Sequence, residues 1–217
     1  GFDPRADEQL VDANLRAELI GALGKMGDPS VVEQARSRFA RLASDPHALD
    51  GPLKTTWLNI AAKNASAADW QLLSELAASS KSATERSTYY ELLGAAKDPA
   101  LAQKALDFAL TGKAGTTSAA IITSVAGSNP DLAYDFTVAH RAQVEALIDD
   151  SGKSQFYRRL VGSSVDPAMV GKLEQLRGVL PEDQRKPIDQ AVSSLKNRLA
   201  SYPRMRAELH DWLAAHP

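Results

Sequence analysis

The sequence contains no cysteine among its 217 residues, and aromatic residues make up only 6% of the chain. The missing cysteines exclude disulfide bonds and thiol nucleophiles, but they are compatible with both reducing and oxidising compartments. Because aromatic residues are scarce and few segments alternate between apolar and polar residues, β-strands are not expected. These absences indicate a helical protein and leave its localisation open between the cytoplasm and the periplasm.

Long hydrophobic runs and a strong net charge are also missing. No apolar run reaches the roughly 20 residues of a membrane-spanning helix, and the N-terminus lacks the basic and then apolar order of a signal peptide. Lys and Arg number 25 against 27 Asp and Glu, which gives a net charge of −2. A nucleic-acid-binding protein would carry a broad positive field, so we expect neither nucleic acid nor a membrane as a partner.

The chain does contain many apolar residues at helical spacing. Leu15, Leu19 and Leu23 form one stripe of a first helix, which is predicted to end at the glycine in position 27. Asp28 is then a suitable N-cap, and Pro29 suits the first position of a second helix. The start of the chain therefore predicts a helical hairpin.

A similar hairpin recurs along the sequence. The segment 23–29 (Leu-Gly-Lys-Met-Gly-Asp-Pro) reappears 70 residues later as 93–99 (Leu-Gly-Ala-Ala-Lys-Asp-Pro). Comparable helix starts lie at Asn129-Pro130 and Asp166-Pro167, and Ser66 fills the gap, so the period is close to 35 residues. This predicts stacked helix pairs in an all-α, HEAT/ARM-like superhelix. The alternative is that Asp-Pro is simply a common helix start, which leaves the all-α class unchanged.

The apolar pattern predicts about twelve helices in antiparallel pairs. They cover residues 7–26, 29–43, 52–64, 67–79, 82–96, 99–111, 115–127, 130–148, 153–163, 167–179, 182–201 and 203–215. The connections are turn-sized, so residues 1–217 are expected to form a single helical-repeat domain. Trp57, Trp70 and Trp212 lie within these helices and are predicted to fill gaps between them.

Motifs of catalysis are missing. A zinc site of the H-E-x-x-H type needs two histidines one helical turn apart, but none of the four histidines is followed by Glu and no two are four residues apart. A G-x-S-x-G nucleophile motif is absent, and the phosphate-loop pattern fails because Leu147 occupies its first glycine position. We therefore predict no catalytic residue, no metal ligand and no cofactor within this chain.

Basic residues offer one candidate binding surface. Arg158 and Arg159 follow Phe156 and Tyr157 late in the predicted superhelix. A groove there would offer both cationic and aromatic contacts to peptide carboxylates, which makes Tyr157, Arg158 and Arg159 possible peptide contacts. Two alternatives stay open: the arginines belong to an ordinary solvated surface, and either ring belongs to the core.

The opening of the chain carries a resemblance to a known family. Gly1-Phe2-Asp3-Pro4 with Glu8, followed by Leu15-Arg16, Leu19, Leu23-Gly24 and Gly27-Asp28, resembles the start of the C-terminal helical domain in the aminopeptidase N and puromycin-sensitive aminopeptidase family. The stretch 187–198 resembles the penultimate long helix of that domain. Residues 209–213 (Leu-His-Asp-Trp-Leu) resemble its closing helix.

This resemblance implies a larger parent protein in which a zinc-dependent catalytic domain lies upstream and removes single residues from peptide N-termini. The zinc ligands, the general-base Glu and the G-x-M-E-N motif of the family have no counterpart here, so this fragment is expected to be inactive. The implied partners are the upstream catalytic domain and peptides. The implied role is to cap the active-site chamber and to shape peptide access.

A free-standing HEAT-like scaffold that binds a protein or peptide partner is the competing hypothesis. Such a scaffold would show polar faces on both terminal helices, whereas a domain separated from its neighbour would show an apolar patch. The first helix carries a wide apolar band that includes Leu10, Val11 and Ile20, which favours a missing neighbour. A HEAT-like DNA-binding enzyme is disfavoured by the net charge of −2.

Overall fold

A computed structural model describes residues 1–3, 5, 7–149 and 152–216, with the side chains of residues 154 and 183 left out. Pro4, which belongs to the opening that carries the family resemblance, lies outside the described residues. The described part is 75% helical and contains no strand, which confirms the all-α class. None of its helices combines the length and hydrophobicity needed to cross a lipid bilayer.

Twelve α-helices and three short 3-10 helices make up the secondary structure of the described residues. The α-helices are α1 (Leu10–Met26), α2 (Pro29–Ala40), α3 (Lys54–Lys63), α4 (Ala67–Ser79), α5 (Ala83–Leu93), α6 (Pro99–Ala109), α7 (Ser118–Ser128), α8 (Pro130–Ala139), α9 (Arg141–Glu145), α10 (Lys153–Leu160), α11 (Ala168–Val179) and α12 (Arg185–Ala215). The 3-10 helices are Arg41–Ala43, Gly115–Thr117 and Glu182–Gln184.

The helices form two compact units, residues 1–105 and residues 106–217, and α6 runs across the boundary. In the first unit α2 packs on α3 and α4 packs on α5. In the second unit α7 packs on α8, and both α10 and α11 pack on α12. That the whole chain is one continuous domain stays a prediction.

The residues at the helix ends explain why these ends and the repeated helix starts were predictable. Gly27 ends α1 in the left-handed conformation, with φ of 82°, which glycine adopts without steric cost. The Asp28 carboxylate accepts a hydrogen bond from the backbone N–H of Val31 at 3.0 Å. The Ser66 hydroxyl accepts from the N–H of Asp69 at 3.2 Å, and the Asp69 carboxylate accepts from the N–H of Ser66 at 2.8 Å. These caps satisfy backbone donors that the first turn of a helix leaves free.

Hydrogen bonds between successive repeats confirm the period. The Arg36 guanidinium donates to Asp69, 33 residues away, at 3.2 Å. The Tyr134 hydroxyl donates to the carbonyl of Lys172, 38 residues away, at 3.0 Å. Similar separations join Lys54 with Glu85, Lys97 with Asn64, Ser164 with Asp131 and Arg198 with Gly162. Within each unit the contacts therefore favour stacked repeats over a chance recurrence of helix starts.

Two of the three tryptophans fill gaps between helices, as predicted. Trp57 and Trp70 are each 3% exposed. The Trp70 indole N–H donates to the carbonyl of Leu93 at 3.0 Å, and the Lys104 ammonium lies 4.0 Å from the centre of its ring. The prediction for Trp212 is wrong, because this side chain is 56% exposed at the end of α12.

The helix predicted over residues 130–148 is interrupted at His140, where α8 ends and α9 begins. The short helix α9 buries Val144 completely. Its last residue, Glu145, accepts a hydrogen bond from the Tyr157 hydroxyl of α10 at 2.9 Å. These tertiary contacts redirect the chain at a point where the local sequence contains no helix breaker.

The helices predicted over 182–201 and 203–215 are a single helix, α12, which continues through Pro203. A proline inside a helix removes one backbone donor and frees the carbonyl four residues earlier, that of Leu199. Residues 202–216 are all exposed, so water can satisfy that carbonyl. The break predicted before Pro203 is therefore wrong.

Candidate functional site

The described residues bring no three His, Asp or Glu side chains together as possible metal ligands. His47 and His140 are exposed, and each interacts with a residue three positions along, Asp50 and Gln143 respectively. His210 and His216 lie at the exposed end of α12. The features that remain to be described are two grooves and the exposed apolar faces of two helices.

The described residues before α1, which are 1–3, 5 and 7–9 and which we call the N-terminal segment, contact α2 and α3 through Phe2 and Asp3. The ring of Phe2 meets the ring of Trp57 edge-on, with 6.0 Å between centroids. The Asp3 carboxylate accepts a hydrogen bond from the Arg38 guanidinium at 2.7 Å, and that guanidinium lies 5.0 Å from the centre of the Trp57 ring. An aromatic contact, a cation–π contact and an ion pair thus share one small cluster.

A second contact joins the same segment to α1. Glu8 and Arg16 form an ion pair in which the side chains are only 8% and 13% exposed. Removing one partner of such a pair would leave a largely buried charge without compensation. The pair therefore fixes where residues 7–9 lie along α1.

Helix α1 presents an apolar face to solvent. Its buried side carries Ile20 and Gly24, and a β-carbon at Gly24 would lie 2.5 Å from the side chain of Ile60 in α3. Leu15 and Leu19 are 52% and 53% exposed, and the same face carries further exposed apolar residues at Val11, Leu23 and Met26. Because successive residues are about 100° apart around a helix, Leu19 cannot share the direction of Ile20. The stripe of Leu15, Leu19 and Leu23 that the sequence predicts therefore lies on one face of α1, but the described residues do not bury it.

The N-terminal segment and α1 enclose a groove of 720 Å³. Its apolar lining comes from Phe2, Leu15, Leu19, Ile20 and Leu23. Charged residues of both signs also line it, namely Arg5, Asp7, Asp12 and the paired Glu8 and Arg16, and Gly1 lies at the same groove. We call this feature the N-terminal groove.

The three predicted peptide contacts occupy different environments. Tyr157 is 1% exposed, and both burial and its hydrogen bond to Glu145 raise the pKa of the phenol. Its ring belongs to the core, one of the alternatives that the sequence left open. Arg158 is exposed and donates to the side-chain carbonyl of Gln190 in α12 at 3.0 Å. The structure does not bring these two side chains together.

Arg159 lies in a second groove, of 360 Å³, between the start of α7, the segment that follows α9, and α10. Ala119, Ala120 and Thr123 of α7 line it, and so do Phe156 of α10 and the residues 147–149 (Leu-Ile-Asp). Within the described residues the Arg159 guanidinium has no hydrogen bond or ion pair, so its charge is available to an anionic ligand. We call this feature the Arg159 groove. The sequence indicated Arg159 and gave no signal for the small residues of α7.

The end of α12 presents another apolar face. Tyr202, Met205, Leu209, Trp212 and Leu213 are exposed large apolar residues at spacings of three and four, which place them on one side of the helix. They are 47–59% exposed, although the ring of His216 stacks on that of Trp212 with 4.5 Å between centroids. Both terminal helices of the chain therefore expose an apolar stripe.

A comparison with protein-family models agrees with this architecture. The model of the ERAP1-like C-terminal domain matches residues 1–197, from the N-terminal groove into α12, and leaves out the exposed end of that helix. The match covers far more than half of the chain. The chain therefore belongs to the ERAP1-like C-terminal domain family of the M1 aminopeptidases.

Proposed function

We propose that this chain is the non-catalytic C-terminal domain of a zinc aminopeptidase. In this proposal it caps the active-site chamber and shapes peptide access, while the upstream catalytic domain trims peptide N-termini. The family membership supports the first part, since such domains belong to aminopeptidases. The observation that carries the proposal is the pair of exposed apolar stripes on α1 and α12, because the end repeats of a self-contained superhelix need polar outer faces.

Zinc, in this proposal, belongs to the upstream catalytic domain. The described residues of this chain do not fit a zinc site, since none of their His, Asp and Glu side chains form a group of ligands. No step of hydrolysis is therefore assigned to a residue of this chain. What the chain contributes is a surface that limits which substrates reach the catalytic centre.

The Arg159 groove is the part of that surface that we assign to peptide contact. Its guanidinium is exposed and makes no hydrogen bond or ion pair within the described residues, and it lies beside the partly apolar groove wall formed by Phe156 and the alanines of α7, with Asp149 also lining the groove. A peptide carboxylate placed there would gain charge-assisted hydrogen bonds. Arg158 offers less, because it already donates to Gln190.

The experiment compares the full-length protein with its upstream part alone, using peptides of increasing length and an aminoacyl amide. We expect both proteins to cleave the amide, and we expect only the full-length protein to discriminate by peptide length. This 217-residue chain by itself is expected to release no amino acid. An identical length profile with and without the domain would refute the proposal.

A matched pair of variants tests the peptide contact. In the full-length protein, Arg159→Ala is expected to raise KM for longer peptides about tenfold, since a hydrogen bond to a charged group is worth roughly 1.5 kcal/mol or more. Arg158→Ala is the control, and we expect KM to stay within about twofold of the original. Equal effects of the two substitutions would show that the Arg159 groove has no special part in peptide binding.

A further inference from the structure

We infer that Lys25, Lys63 and Lys97 form a binding site for a phosphate group, which belongs either to inorganic phosphate or to a phosphate ester. The site lies in the first unit, at the edge where α1 and α3 end and α6 begins. It shares no lining residue with the N-terminal groove or the Arg159 groove, so it does not depend on the proposed function. We call these three residues the lysine cluster.

The members of the lysine cluster occupy similar places in successive repeats. Lys25 lies in the last turn of α1, and Lys63 is the last residue of α3. Lys97 follows α5 and directly precedes Asp98, the N-cap of α6. The three lysines are 38 and 34 residues apart, close to the repeat period. Because similar positions of stacked repeats lie side by side, the repeats bring them to one edge.

The contacts of Lys97 show how closely the cluster is assembled. Its backbone N–H donates to the carbonyl of Lys63 at 3.0 Å. Its ammonium donates to the side-chain carbonyl of Asn64, the residue after Lys63, at 3.2 Å. A β-carbon at Gly27, two residues after Lys25, would lie 3.8 Å from the same ammonium. The Lys97 ammonium therefore lies between the ends of α1 and α3.

The cluster has no counter-charge of its own. None of the three ammonium groups forms an ion pair within the described residues. The carboxylates of Asp28 and Asp98, which follow Lys25 and Lys97 in the sequence, accept hydrogen bonds from backbone N–H groups as helix caps. Burial, together with repulsion from Lys97 and Lys25, lowers the pKa of Lys63. The fold thus holds like charges together, and a bound anion would relieve their repulsion.

The chemistry of the cluster favours a phosphate over a carboxylate. An ammonium is a compact charge with three donors, whereas the planar fork that matches a carboxylate belongs to arginine. A phosphate ester carries about −1.5 to −2 charges at pH 7 and offers three strong acceptor oxygens. One such group can therefore accept a hydrogen bond from each of the three lysines.

Protection from acetylation tests the inference in the full-length protein. At constant ionic strength, inorganic phosphate or glycerol 3-phosphate should slow the reaction of Lys25, Lys63 and Lys97 with an N-hydroxysuccinimide ester in a saturable way, as measured by mass spectrometry. Lys81 is the internal control, because it is exposed at the other end of α4, and its rate should not change. The probe that protects at the lower concentration identifies the source of the phosphate group. Equal slowing of all four lysines, or no slowing, would overturn the inference.

A matched pair of variants gives an independent readout. Lys63→Met keeps the apolar stem and removes the charge. The phosphate concentration that gives half-protection of Lys97 should rise about tenfold, since a hydrogen bond between charged groups is lost. Lys81→Met removes a lysine outside the cluster and should leave this concentration unchanged. The same concentration for both variants would contradict the site.

Hydrogen exchange separates this site from a purely structural role of the lysines. Lysines at the end of a helix also interact favourably with its last carbonyls, and if that were their only role, Lys63→Met would speed amide exchange at the end of α3. The phosphate site predicts slower exchange there in phosphate-free buffer, because the repulsion within the cluster is reduced. Faster exchange, with Lys25 and Lys97 still protected by phosphate as in the original protein, would overturn the inference.

Discussion

Replacing Gly24 with alanine would test how α1 packs on α3. A β-carbon at this position would lie 2.5 Å from both Cγ1 and Cδ1 of Ile60, and 3.2 Å from its Cγ2. Ile60 is buried and branched at its β-carbon, so it has few other rotamers to adopt. Either α1 must move away from α3 or Ile60 must displace its neighbours.

The expected magnitude follows from two opposing effects. Overpacking of this kind costs typically about 1 to 3 kcal/mol. Alanine is favoured over glycine inside a helix by about 1 kcal/mol. Because all three contacts fall within a crowded distance, we expect the overpacking to exceed the helix gain. The free energy of unfolding of the unit should therefore fall, by up to about 2 kcal/mol.

Gly21→Ala is the matched control in the same helix. Its β-carbon would meet only Cγ2 of Thr56, at 4.0 Å, which is an ordinary contact. This variant should gain up to about 1 kcal/mol of stability. Urea unfolding followed by tryptophan fluorescence reports the unit, since Trp57 and Trp70 are buried in it.

A double-mutant cycle with Ile60→Ala isolates the contact. Gly24→Ala should cost clearly less in that background, because the crowded side-chain atoms are gone. If Gly24→Ala is as stable as Gly21→Ala, α1 does not approach α3 as closely in solution as it does in the structure, and the packing argument fails.

Three further predictions concern single side chains. Ser66→Ala should lower the free energy of unfolding by about 1 kcal/mol, because the reciprocal cap with Asp69 is lost, and Ser66→Asp should restore much of it; urea unfolding measures both. Burial raises the pKa of Tyr134 to about 12 from 10.0, so the folded state favours the neutral phenol. The stabilising contribution of this phenol is therefore complete below pH 10 and is lost as the pH rises toward 12. The free energy of unfolding of the original protein, measured relative to that of Tyr134→Phe, should therefore fall by up to about 2 to 3 kcal/mol between pH 9 and pH 12. A relative value that does not change with pH would contradict this. Pro203→Ala should slow amide exchange in the last turns of α12, since the missing hydrogen bond is restored; unchanged exchange would show that the proline does not weaken this helix.

The helix starts were predictable because their signals are local. Asp28 and Ser66 accept hydrogen bonds from backbone groups only three residues away, so the sequence itself contains both partners. The end of α1 was predictable for a similar reason, since Gly27 adopts a positive φ that other residues disfavour. Signals of this kind do not depend on what the rest of the chain does.

The wrong helix boundaries occur where the surroundings of a residue, rather than its neighbours in the sequence, determine whether the helix continues. The chain turns at His140 because Val144 is buried and Glu145 bonds to Tyr157 of the next helix. Conversely, α12 continues through Pro203 because solvent surrounds that turn. A proline is a strong local signal, but whether it ends a helix depends on what satisfies the freed carbonyl.

The candidate sites, too, were predictable only in the part that depends on the local sequence. The sequence indicated Arg159 together with Tyr157, but two residues that are two positions apart on a helix point about 200° away from each other around its axis. Burial of Tyr157 and the groove at Arg159 follow from how α7 and α10 pack. No local pattern could have paired Arg159 with Ala119 and Thr123, which lie in an earlier helix.

The sequence by itself determined the all-α class, the period of about 35 residues and the absence of a catalytic motif in this chain, because capping, helical periodicity and motif spacing are all short-range. Only the tertiary structure decided which apolar stripes are buried. Leu19 and Leu195 are equally apolar in the sequence, yet Leu195 is fully buried while Leu19 lines an open groove. Burial depends on whether a neighbouring element covers a face, and that is a property of the packed fold rather than of the residues within one helix.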